Sequence, residues 1–145
     1  MKLSEHFSLA ELCFSQTAAR HGIDNQPPAE VIENLRKLTG YLETIRAALG
    51  DAPLRISSGY RSPALNALIK GSAANSAHTR GLAADICSDR FSPAELARAI
   101  AKMNLDLDQI ILEYDAWVHI GLANKNPRRQ LLSVRRGTGF VTGLG

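Results

Sequence analysis

Val31, Leu35, Leu38, Leu42 and Ile45 recur at alternating spacings of four and three, which lines their side chains along one face of an α-helix. Such a stripe must be buried against something, and the segments that follow are of another kind. Residues 54–58 (LRISS), 82–87 (LAADIC), 109–114 (QIILEY) and 117–122 (WVHIGL) are too short for helices and read as strands. The predicted fold class is therefore α+β, with helices packed on a small, mostly antiparallel sheet.

Serines mark the helix starts. In FSLAEL, Ser8 is an N-cap, Glu11 closes a capping box, and Phe7 and Leu12 make a hydrophobic staple. FSPAEL repeats the pattern with Phe91, Ser92, Glu95 and Leu96, and adds Pro93 at the first helical position. A further helix starts at Ser62 and Pro63 in RSPALNALI. The order is helices, then strands interleaved with two more helices, closed by a hairpin. With 145 residues, 45% hydrophobic, the chain can bury one core without metal or disulfide support. It reads as a single domain, 1–145, whose residues 123–145 form a basic C-terminal arm.

The net charge of +3 is unevenly spread, because no acidic residue follows Asp115 while Lys125, Arg128, Arg129, Arg135 and Arg136 all do. The other 12 basic residues are outweighed by 14 acidic ones, so the basicity belongs to the arm and nucleic acid is not an expected partner. The arm reads either as a solvated, partly ordered tail or as a contact for an anionic partner such as cell-wall polymer. Cys13 and Cys87 lie in apolar segments and are expected as separate thiols. There is no apolar run of the roughly 18 residues that spans a membrane. The opening MKLSEHFSLAEL has Glu5, His6 and Glu11 where a signal peptide carries its apolar stretch, so the chain is expected to be made in the cytoplasm and not to insert into a membrane.

SAHTRGLAADI (76–86) sets His78 and Asp85 seven positions apart. On one helix they would stand about 10.5 Å apart, whereas ligands of one zinc ion lie within about 4 Å of each other. Gly81 permits a reversal, after which Asp85 sits on a strand, facing the same way as Ala83 and Cys87. A metal site and a simple hydrogen-bonded turn both fit that spacing. His119 in WVHIGL has no packing reason to be in an apolar strand. An odd loop of Asp115, Ala116 and Trp117 would set Glu113 opposite His119 and Tyr114 opposite Val118, whereas a two-residue loop would turn Glu113 to the other face. His78, Asp85 and His119 would then form a two-histidine, one-carboxylate site with an open position for water.

SGYRSPALN, SAHTRGLAADI and WVHIGL together resemble the zinc D-alanyl-D-alanine carboxypeptidases and their relatives, among them phage-type murein peptidases and, distantly, the hedgehog signalling domain. The resemblance covers most of the chain. It implies zinc at His78, Asp85 and His119, and Arg61 facing the substrate with a guanidinium that grips a carboxylate or oxyanion. Ser76 matches a serine beside the site, and Tyr60 and Trp117 are further expected substrate contacts. Many relatives carry an acid three residues before the last histidine, where this chain has Ala116. Glu113 matches the hedgehog-like and phage-type spacing and is the expected base, with Asp115 the alternative.

His6 and His21 are expected as surface or capping residues, Cys87 as a core thiol, and Asp106 and Asp108 as solvated loop residues, not a calcium site. The resemblance implies a monomeric zinc metallopeptidase of bacterial peptidoglycan stem peptides, carboxypeptidase or endopeptidase, acting on the cell wall and delivered by a phage or prophage route. The alternative is a non-catalytic zinc-containing wall-binding or phage tail module.

Overall fold

The computed structural model describes residues 1–69, 72–73 and 75–144. The chain runs α1 (Leu9–Cys13), α2 (Gln16–Arg20), α3 (Ala29–Ala48), β1 (Leu54–Ser58), α4 (Pro63–Leu68), a 3-10 turn (Ala77–Arg80), β2 (Ala83–Ser88), α5 (Pro93–Lys102), β3 (Gln109–Glu113), β4 (Trp117–Gly121), β5 (Gln130–Val134) and β6 (Val141–Thr142). The serine caps form as predicted. Ser8 Oγ accepts the Glu11 N–H at 3.1 Å while the Glu11 carboxylate accepts the Ser8 N–H, and Ser92 and Glu95 do the same for α5. Ser62 caps α4. Ser15 caps α2, a helix too short to show periodicity in sequence.

The stripe of α3 is no more than 6% exposed at any of its five positions, and each such side chain stabilises the fold by roughly 1.5–3 kcal/mol. It joins one core with Leu96 and Ile100 of α5 and with Ala84, Ile86, Leu112, Val118 and Ile120 of the sheet. Because successive strand residues point to opposite faces, burying those five commits Asp85, Glu113 and His119 to the other face.

The sheet has six strands in the order β1-β2-β4-β3-β5-β6, all antiparallel neighbours except β3 and β5. The fold is thus α+β, as expected, but the basic arm differs from the solvated reading. Residues 130–134 form β5, parallel to β3 from Gln109↔Gln130 to Glu113↔Val134. Arg128 pairs with Asp108, Arg129 with Asp106 and Arg135 with Asp115. These acidic partners lie 20 or more residues back in the chain, so local composition does not show that three of the arm's five cations are paired. β4 ends where β3 begins, so residues 122–129 cross that end and launch β5 in the direction of β3. Among the described residues no helix is long and apolar enough to cross a membrane.

Candidate metal centre

His78 is placed by its turn. Ser76 Oγ accepts the His78 N–H at 3.2 Å, and Gly81 ends the turn in the left-handed region at φ 72°. A Cβ on Gly81 would lie 2.8 Å from Val31 Cγ1, so this position needs glycine for space as well as for φ. The chain then reverses into β2 with the Leu82 N–H on the Ala77 carbonyl. His78 Nδ1 stands 2.7 Å from the Gly59 carbonyl. A carbonyl only accepts, so Nδ1 carries the proton and Nε2 offers its lone pair.

That lone pair faces Asp85. His78 Nε2 lies 3.4 Å from Asp85 Oδ1, and His119 Nδ1 lies 3.0 Å from the same oxygen. Asp85 and His119 are direct partners across β2 and β4. All three are buried, at 3%, 4% and 9% exposure. Burial raises the pKa of Asp85, but the His119 imidazole, with Nδ1 3.0 Å from Oδ1, opposes it, and the carboxyl is held well below the usual carboxylate range. The donor set suits a divalent cation. Around a tetrahedral ion with ligands about 2.0–2.1 Å away, neighbouring ligand atoms stand about 3.3 Å apart, and one ligand atom from each of the three residues lies within 4.8 Å of those of the other two. Three ligands leave one position open.

Glu113 stands on the same face, but in a register different from the expected one. It opposes Trp117, while Ile111 opposes His119 and Leu112 opposes Val118. The loop is Tyr114, Asp115 and Ala116, one residue earlier than predicted. Tyr114 and Asp115 take φ of 57° and 53°, and the Ala116 N–H bonds the Glu113 carbonyl at 2.9 Å, the primed turn that matches hairpin twist. Local sequence offers no Asn-Gly or Asp-Gly to announce it. Each strand slipped by one residue, so parity survived and Glu113 became a diagonal neighbour of His119, roughly 7–8 Å away. Its Oε1 accepts the Trp117 indole N–H at 3.0 Å. Burial first, then the charge of Asp85, pushes its pKa above the ordinary range.

Arg61 lies at the other side of the cluster with its side chain 12% exposed and NH2 3.7 Å from Asp85 Oδ2. Its remaining donors reach Ser58 Oγ at 3.2 Å and Asn66 Oδ1 at 3.1 Å. A cavity of about 430 Å³ is lined by Arg61, Ser76, His78, Asp85, Glu113 and His119, among others. A cavity, a buried metal-capable triad, a carboxylate and a guanidinium thus meet on one sheet face.

A family model described as peptidase M15 matches residues 5–121. The chain belongs to the peptidase M15 family. The M15 match takes in His78, Asp85, His119, Glu113 and Arg61, and stops at the end of β4, so β5 and β6 lie beyond it. No curated protein matches the chain.

The other expected residues distribute as follows around the M15 centre. Trp117 lines the cavity and packs tilted on Tyr114 at 5.6 Å between ring centroids. Tyr60 is 4% exposed and belongs to the core, while touching an adjoining cavity that Arg61 also lines. Asp115 does not line the cavity of the metal-capable triad and is held by Arg135 through Nε and Nη2 at 3.0 and 3.1 Å. His21 caps α2, and His6 bonds Glu43 of α3 at 2.7 Å, a long-range partner that ligand spacing in the sequence did not reveal. Cys13 and Cys87 are free and half-buried. Cys87 is thus not a core thiol, and it donates to the Ala116 carbonyl at 3.5 Å. Asp106 and Asp108, read as solvated, are the anchors of the arginine arm.

Proposed function

We propose that this M15 peptidase is zinc-dependent and hydrolyses peptide bonds in the stem peptides of bacterial peptidoglycan. The observation that carries the reading is the convergence of His78 Nε2, His119 Nδ1 and Asp85 Oδ1 beside Glu113 in one cavity. Zinc, when bound by these three residues, supplies a Lewis acid for the scissile carbonyl and acidifies water. The choice of zinc follows from the family resemblance and from a mixed nitrogen–oxygen donor set.

The chain's own groups do the rest. Glu113 accepts a proton from the attacking water and returns it to the leaving amine. The indole N–H of Trp117 on Oε1 orients that carboxylate and leaves Oε2 for the proton. Arg61 offers positive charge to the acyl oxygen or to a substrate carboxylate. Its hydrogen bonds to Ser58 and Asn66 hold it in place before substrate arrives. Gly59, through His78 Nδ1, keeps that imidazole in the ligating tautomer. Ser76 acts on the backbone of the turn, and Asp115, bound to Arg135, is not the base.

Reconstitution with zinc and digestion of purified peptidoglycan, followed by mass analysis of the soluble products, tests the reading. Release of stem-peptide fragments that is lost in Glu113→Gln while zinc stays bound supports it. Undiminished release by Glu113→Gln overturns the assignment of the base. No release by the zinc-loaded parent would favour a wall-binding module that has lost hydrolysis.

A further inference from the structure

The cavity around the triad is one of two that meet at Asp85. A second, of about 500 Å³, is lined by Ile56, Ser57 and Ser58 of β1 and by Phe14 and Gln16 near the start of α2. Both cavities are lined by Arg61, Ile69, Asp85 and Trp117. The sheet order sets them on opposite sides of the metal ligands. Asp85 on β2 and His119 on β4 are neighbours in the middle, the second cavity lies out toward β1, and the first extends over β3 to β5. Joined at these shared residues, the two cavities make a groove that would cross five strands. At about 4.8 Å between strands the crossing is about 19 Å, the length of about six residues of extended peptide at roughly 3.3 Å each.

The far wall lies outside the residues that match the family. Leu132 and Val134 of β5 stand in register with Ile111 and Glu113, so they continue the site face outward. Phe140 joins them in lining the groove and is 65% exposed. All three lie beyond residues 5–121, the part matched to the family. Among the described residues Arg61 is the only cation lining either cavity, and it sits at the midpoint, with the groove running on past it both ways. A site built to trim one terminal residue would close within a residue of the scissile bond, and neither end of this groove does so among the described residues.

We propose that Leu132, Val134 and Phe140 form an apolar subsite for substrate residues two to four positions from the scissile bond, and that the groove takes an extended peptide on both sides of that bond. The inference rests on the peptidase reading, and it makes the activity endopeptidic. In the step itself the C–N bond of an internal amide breaks, the water oxygen joins the acyl carbon, and a water proton goes to the leaving amine.

Trp117 is the only tryptophan in the chain and lines both cavities, so binding can be read by fluorescence independently of hydrolysis. The test uses the zinc-loaded full chain and its Phe140→Ala variant, an exposed position where truncation spares the fold. The probes are a stem tripeptide, a free stem pentapeptide ending in D-Ala-D-Ala, and a cross-linked stem-peptide dimer. We expect the parent to bind the dimer most tightly, Phe140→Ala to weaken dimer binding by roughly fivefold or more with little change for the tripeptide, and mass analysis to find cleavage with several residues on both sides. A parent that hydrolyses but releases only the terminal residue of the pentapeptide overturns the proposal. So does a Phe140→Ala protein with unaltered length preference. If the zinc-loaded parent hydrolyses none of the three, the peptidase reading falls, and the fluorescence series alone decides the subsite.

Discussion

The carbonyl of Gly59 accepts the Nδ1 proton of His78 at 2.7 Å, and Gly59 is itself pressed so close to α1 that a Cβ there would lie 2.2 Å from the Leu12 carbonyl. The short helix α1 thereby sets the orientation of a candidate metal ligand that lies 66 positions later in the chain.

Gly59→Ala must push the loop away from Leu12 and take the carbonyl off His78. Loss of such an outer partner lowers metal affinity about 10–100-fold. Zinc competition against a chromophoric chelator measures it, and a far-UV spectrum checks that the variant is folded. Unchanged affinity in a folded Gly59→Ala protein would dissociate the carbonyl from the metal site.

Zinc binding to the native state alone raises its stability by about 2.7 kcal/mol at a hundred times the dissociation constant. For a chain of this size that is a rise of roughly 5–10 °C in Tm. The rise should vanish in His119→Ala, which removes a donor, and fall sharply in Asp85→Asn, which replaces the anionic oxygen with a neutral, weaker one. A thermal scan with and without zinc, at a fixed protein concentration, reads the difference.

Asp108 accepts the backbone N–H and the guanidinium of Arg128 at 2.7–3.2 Å, and these bonds lower its pKa against a smaller opposing effect of burial. A carboxyl with a lowered folded pKa stabilises fully above its unfolded value of about 3.9 and loses that contribution as pH falls through the folded value. Asp108→Asn should therefore cost about 1 kcal/mol at pH 7, allowing for the exposed arginine. The gap between the denaturation midpoints of parent and variant should begin to close as pH falls below about 4. A gap that does not narrow at all over that descent would mean that the aspartate acts through shape, not charge.

Burial pushes the Cys13 thiol up to about 11. At pH 8 it then holds on the order of a hundredfold less thiolate than an ordinary cysteine. Native protein should be alkylated at Cys13 far more slowly than protein in urea, with peptide mapping as the readout. Equal rates would show that the thiol is not sheltered.

What was legible in the sequence was local. Capping boxes at Ser8 and Ser92 and the stripe of α3 involve residues within a turn or two, and they appear where predicted. His78, Gly81 and Asp85 were readable as a reversal because glycine tolerates positive φ where other residues rarely do. The arm was misread for the complementary reason. Its partners Asp106, Asp108 and Asp115 are remote in the chain, and β5 exists because β3 offered an open edge.

The sequence by itself determined the alternation within each strand, Asp85 against Ala84 and Ile86 and His119 against Val118 and Ile120, because a strand alternates whatever its neighbour does, but the parity of the loop left open whether Glu113 joins their face. Tertiary structure alone decided which residues stand opposite one another. The hairpin closed with positive φ at Tyr114 and Asp115, which set Leu112 opposite Val118, so Glu113 met Trp117 instead of His119. Alternation is a property of one strand, whereas register is an energy difference between whole pairings of two.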